Sequence, residues 1–172
     1  ERLVRLEAQV IIEAGLGTPV NIRDDDYKKA GAAIQQDRFS LLSSSDLTLR
    51  LRKPPMEEIS RLKKGSLHIS FLDPFNEKSL IEELAHHQIS AISMEMIPRT
   101  TRAQKMDALS SQANLAGYVS VILAAERLSK IFPMLITPAG TITPTRVFVI
   151  GAGVAGLTAA RARGRKGGRP PA

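Results

Sequence analysis

The sequence predicts an α/β protein: an open parallel sheet with helices on both faces, followed by the first strand–turn–helix of a second sheet of the same class. Two observations carry this. Short apolar runs alternate with helical patterns from Gln9 to Met94, in the order strand, helix, strand, helix, strand, helix, strand. Further on, Val147-Phe-Val-Ile-Gly-Ala-Gly-Val-Ala-Gly-Leu157 passes from an apolar run through three glycines into a helical pattern.

Taken in order, Glu1 to Leu6 reads as the last turns of a helix, and Gln9-Val-Ile-Ile-Glu13 as a strand closed by Gly15-Leu-Gly17 and Pro19. Asp24-Asp25-Asp26 opens a short helix, where carboxylates cap amides and favour the dipole. The three aspartates are no calcium loop, because alternating oxygen ligands and a later glutamate are lacking. Asp46-Leu-Thr-Leu-Arg-Leu-Arg52 alternates like a half-buried strand, and Pro55 can open the helix Met56–Leu62. Leu67–Leu72 is the next strand. Asn76 is placed to cap Glu77–Ala85, and Ile89–Met94 follows as a strand. The pair His86-His87 ends that helix, where the dipole favours a cation; adjacent helical positions point apart and no carboxylate shows ligand spacing, so no metal is expected. A long amphipathic helix starts at Asp107, carries Ala116, Val119, Ile122, Leu123 and Leu128, and ends before Pro133; Pro138–Pro144 is a connector.

Composition narrows the classes. A chain of 172 residues with 43% hydrophobic content and few aromatics suits one ordinary domain, or one and the beginning of another, with an aliphatic core. Without cysteine there is no disulfide framework and no thiolate chemistry. No apolar stretch approaches the length of a membrane span, and no signal peptide opens the chain. The net charge of +7 is concentrated in Arg161, Arg163, Arg165, Lys166 and Arg169. Such a Gly/Pro-rich basic tail attracts polyanions without sequence preference and lacks an aromatic platform or recognition helix, so no specific nucleic acid is expected. A non-catalytic module that holds a polyanion through this tail is the alternative of a different class.

Val147–Ile150 reads as a buried parallel strand, and Gly151, Gly153 and Gly156 then fit G-x-G-x-x-G. The first glycine makes the tight turn, the second lets backbone approach a pyrophosphate, and the third lets the helix sit close to its strand with its amides toward the phosphates. A dinucleotide site of the Rossmann type is implied. The acidic residue that would meet the adenosine ribose roughly 20 residues on does not follow Gly156.

The most distinctive run is Pro98-Arg-Thr-Thr-Arg-Ala-Gln-Lys-Met-Asp-Ala-Leu-Ser-Ser-Gln-Ala-Asn-Leu-Ala-Gly-Tyr118, a polar segment leaving the strand at Met94. On composition it is equally a binding loop or a helix entry capped by Asp107. With KPP…HISFLDPFNE before it and ITPAGTITPTRVFVIGAGVAGL after it, this run closely resembles the domain shared by alanine dehydrogenase and the NAD(P) transhydrogenase alpha subunit. The resemblance covers Arg2 to Thr158 and stops at about Arg161. It implies a division into an N-terminal α/β domain at 1–136 lacking its first strand, a connector and the start of the Rossmann domain at 137–160, and a basic, disordered tail at 161–172. It also implies that the rest of the nucleotide domain, and a late segment completing the first domain, are absent.

Function follows from the resemblance in the same way. Arg99, Gln104, Asp107 and Ser110 are expected at the nicotinamide end of NAD(H), and Gly151, Gly153 and Gly156 at the pyrophosphate. Gln104 and Asp107 are the catalytic candidates, acting by orientation, since direct hydride transfer between two nicotinamides needs no proton donor. NADP would lie on a partner domain, and a membrane subunit would couple transfer to proton movement. The intact protein would be a homodimer, cytoplasmic and peripheral to the inner membrane. Two positions separate the branches. Alanine dehydrogenases carry a lysine where this chain has Arg52, and a catalytic histidine where it has Asp73. A carboxylate beside a substrate carboxylate would repel it. His68, five residues earlier on the other alternation, is no replacement. The transhydrogenase branch is therefore expected, with an amino-acid dehydrogenase as the alternative.

Overall fold

The computed structural model describes residues 1–162, so the basic segment beyond them, with the disorder and polyanion binding expected of it, lies outside the described residues. By contact the chain forms two compact units dividing between Met96 and Ile97.

The first unit is built from parallel ladders. After the short α1 (Arg2–Arg5), β1 (Ile11–Glu13) pairs with β2 (Ala33–Gln35), Ile12 opposite Ile34. Strand β3 (Leu47–Leu49) pairs with β4 (Leu67–Ser70), and β4 with β5 (Ser90–Ser93), so β4 is central. Between the strands run α2 (Asp24–Lys29), α3 (Arg38–Ser44), α4 (Met56–Ile59) and α5 (Lys78–His86). The parallel α/β class expected from the alternation is what the chain adopts, although β1–β2 and β3–β4–β5 are separate ladders.

Elements β2 and α3 extend the expected order. Ala33-Ile-Gln35 is too short to stand out as a periodic run, but Asp37 is a strong start signal: its carboxylate accepts from the backbone N–H of Phe39 and Ser40. At α5 the cap differs from the pattern. Glu77 holds the N-cap position without a side-chain bond, while Asn76 Nδ2 donates to Asp73 Oδ1 at 2.9 Å. Asp73 has φ 53°, and a left-handed residue at this turn draws the asparagine back onto it.

The core of this unit joins Leu42, Ile59, Leu62, Leu72, Leu80, Leu84 and Ile89, all nearly inaccessible. Strand β4 inverts the usual alternation. His68 and Ser70, on one face, are fully buried, whereas Leu67 and Ile69 on the other are only half-buried. His68 Nε2 lies 3.1 Å from Ser70 Oγ, while Nδ1 has no hydrogen-bond partner among the described residues. A charged group closes the ends of β1 and β3: Arg38 of α3 bridges Glu13 and Glu58, and Arg50 reaches Glu58 at 2.5 Å. Burial works to raise the Glu58 carboxyl, but hydrogen bonds from Arg38 and Arg50 override it and hold it below its ordinary value.

The second unit contains α6 (Ala108–Arg127), an antiparallel hairpin of β6 (Leu135–Thr137) and β7 (Gly140–Ile142), and α7 (Val154–Ala162). The stretch expected as a plain connector at Pro138–Pro144 thus begins as the turn and second arm of a hairpin, with Gly140 at φ 132° and Thr137 Oγ1 donating to its carbonyl. Val147–Ile150 forms no ladder among the described residues, contrary to the strand expectation. An apolar run specifies a strand only if a neighbour takes its backbone groups, and here Phe148 and Ile150 stand 89% and 90% exposed. Helix α6 also departs from expectation. Its apolar positions Val119, Ile122 and Leu123 are exposed, and Gly117 is its one buried residue. At 20 residues and a mean hydropathy of 1.2 it meets the length and composition of a membrane span, which corrects the expectation that no stretch approaches one.

Candidate functional site

Every residue expected at the cofactor falls within the second unit. The loop from Pro98 is tied down by short-range bonds rather than by apolar anchors. Thr100 receives the N–H of the buried Ala103, a single 3₁₀ turn covers Gln104–Met106, and Met106 N–H donates back to Ala103 O at 2.8 Å. This presents Arg99 and Gln104 to solvent.

Asp107 caps α6. Its Oδ1 accepts from Ser110 N–H at 2.9 Å and its Oδ2 from Ser110 Oγ at 2.6 Å. These bonds, led by the Ser110 hydroxyl and helped by the charge of Arg99, hold the carboxyl below its ordinary range. Of the two roles open on composition, the structure shows the helix cap; each oxygen of the half-exposed carboxylate still has a lone pair that a donor outside could use.

In the glycine turn, Gly151 and Gly156 have structural roles. Gly151 has φ 99°, a conformation that side chains resist. A Cβ on Gly156 would meet Gly151 O at 2.1 Å, so that glycine is what lets α7 close on the turn. A Cβ on Gly153 would meet nothing within 4 Å among the described residues. The backbone there lies open at the start of a nine-residue helix whose first amides lack intrahelical partners, which fits a phosphate group.

Two contacts that the motifs did not single out join loop helix and turn helix. Thr158 Oγ1 donates to Asn114 Oδ1 at 2.5 Å, and Gly117 brings α6 against α7 so closely that a Cβ would stand 2.3 Å from Ala155 O. A glycine inside a helix costs about 1 kcal/mol against alanine, so Gly117 was itself a signal of close approach. A nearby cleft of about 280 Å³, lined by Val121, Ala124, Phe132, Val147 and Val149, is apolar and brings no convergent polar groups to the turn.

In the first unit, Asp73, one of the two positions expected to separate the branches, accepts from Asn76, while Lys53, beside the other, Arg52, pairs with Glu77. His68 is wholly buried, and burial, with the charge of Arg50, pushes it down to about 4; it is a neutral core histidine.

A parallel α/β unit, followed by a polar loop packed through its helix onto a G-x-G-x-x-G turn, defines a dinucleotide-binding class of protein. The chain belongs to the alanine dehydrogenase/PNT family: the model for its N-terminal domain matches residues 1–116 and that for its C-terminal domain matches residues 120–168. The second match runs past Arg161, beyond the point at which the motifs place the end of the likeness. The NAD(P) transhydrogenase alpha subunit of Cereibacter sphaeroides is 39% identical over 158 residues, 92% of this chain and 30% of that one. An alanine dehydrogenase of Halomonas elongata is 31% identical over 155 residues, covering 88% and 41%. In structure, a transhydrogenase from Sinorhizobium meliloti superposes with a TM-score of 0.87 at 41% identity, over 94% of this chain and 48% of that one. An L-alanine dehydrogenase gives 0.78 at 25% identity, over 94% and 45%. The chain therefore spans less than half the length of these relatives, and its transhydrogenase relatives stand nearer to it than its alanine dehydrogenase relatives.

Proposed function

We propose that this chain supplies part of the NAD(H)-binding alpha subunit of a proton-translocating NAD(P) transhydrogenase. The observation that carries this is Asp73 where the other branch needs an imidazole, with the one buried histidine nearby, His68, locked in the core. The pyrophosphate would lie over Gly153 and the first amides of α7. Arg99, Gln104, Asp107 and Ser110 would meet the nicotinamide end, Asp107 accepting from its carboxamide. The cofactor supplies the hydride; the protein aligns and excludes water, and no side chain need move a proton. NADP would be held by a partner domain, and a membrane subunit would couple the transfer to protons. The subunit would be cytoplasmic, peripheral to the inner membrane through that partner, and dimeric.

The test uses a protein of the relatives' full length carrying this sequence. Mixed with the NADP-binding partner domain, it should exchange hydride between nicotinamide nucleotides. Asp107→Asn and Gln104→Ala should slow that exchange tenfold or more while NADH affinity changes little. Oxidation of NADH that depends on pyruvate or on ammonium would instead establish the amino-acid dehydrogenase reaction.

A further inference from the structure

We propose that Glu83, His86 and His87 form a site for a divalent transition-metal ion at the carboxyl end of α5. The imidazole nitrogens and a carboxylate oxygen of these three residues all lie within 4.8 Å of one another. Neighbours on a regular helix point apart, which counts against a histidine pair as ligands. The structure meets that objection by distance: at the last turn of α5, a ring nitrogen of each histidine lies within 4.8 Å of the other and of the Glu83 carboxylate. The carboxylate is also present, since Glu83 stands one turn before His87.

One spacing already suits an ion, and the others lie within 4.8 Å. Ligand atoms about 2.0–2.1 Å from a zinc ion, and between a right angle and a tetrahedral angle apart around it, lie about 2.9–3.4 Å from each other. His87 Nε2 and Glu83 Oε1 are 3.0 Å apart, and the two rings stand edge to face with centroids 5.2 Å apart. The scaffold is firm. Leu80 and Leu84 bury α5, Gln88 turns with φ 58°, and Ile89 N–H closes on Leu84 O at 2.9 Å. The carboxyl end of a helix dipole favours a cation. Two imidazoles with one carboxylate suit zinc, nickel or copper rather than magnesium or calcium, and leave a position for water.

Imidazole-detected NMR on the whole chain tests this, because it holds three histidines and His68 is a buried internal control. One equivalent of zinc chloride should move the ring signals of His86 and His87 together and leave those of His68 in place. Glu83→Gln and His87→Gln should each weaken zinc binding at least tenfold, with the His68 signals reporting an intact fold. Movement of a single ring, or equal zinc affinity in the wild type and His87→Gln, would overturn the site.

Discussion

His68 can be buried only as a neutral imidazole. Its folded pKa of about 4 lies below the ordinary 6.5, so the native chain takes up a proton less readily than the unfolded one. Its contribution to stability is whole above pH 6.5 and is lost as pH falls toward 4, amounting to about 3 kcal/mol at about 1.4 kcal/mol per unit. Urea unfolding between pH 7.5 and 4.5 should show that loss, and His68→Gln should flatten it. Two glycines invite an opposite pair of outcomes. Gly156→Ala forces a Cβ onto Gly151 O and should disrupt the turn, as circular dichroism and melting would record. Gly153→Ala meets open space, so folding should be unchanged while NADH affinity in a protein of full length falls tenfold or more. Equal NADH affinity would mean that the Gly153 turn is structural only.

Between elements, the α6–α7 contact rests on one absent side chain. Gly117→Ala should raise local helix propensity by about 1 kcal/mol, yet separate the helices, because Ala155 O occupies the space of the new methyl. Faster amide exchange in Val154–Ala162 would record the separation; unchanged exchange would show that α7 is held elsewhere. At this scale the sequence was legible where one residue does one local job. The Asp107 cap, the Gly151 and Gly156 turn and the parallel α/β order follow from pattern alone. Other features depend on what stands opposite. Val147–Ile150 has the composition of a strand, but nothing in it names a partner. Glu83 meets His87 one turn on, but which side-chain conformation also brings in His86 is not written in the spacing, and Asn114 meets Thr158 only once α7 is docked. The burial of His68 above Leu67 on β4 also defied alternation, since polarity pattern assigns faces and not the packing on each.

Across the whole molecule, apolar burial is uneven. The cluster from Leu42 to Ile89 lies entirely in the first unit, whereas α6 and the Val147–Ile150 segment of the second leave large apolar side chains exposed. Amides of β4 and α5 should therefore exchange with the global unfolding free energy, and those of α6 and α7 by cheaper local opening. Hydrogen exchange followed by mass spectrometry would order them, and equal protection would contradict the asymmetry. Leu84→Ala should cost about 2–5 kcal/mol, and should lower protection in the first unit.

Each ladder of the first unit joins strands that follow one another in the chain: β1 with β2, β3 with β4, β4 with β5. Among the described residues, nothing downstream of Met96 supplies a partner for any of them. On a translating ribosome, then, these ladders can pair as soon as that residue emerges, before the glycine turn has been synthesised. A nascent chain stalled soon afterwards should already resist protease over β3 to β5.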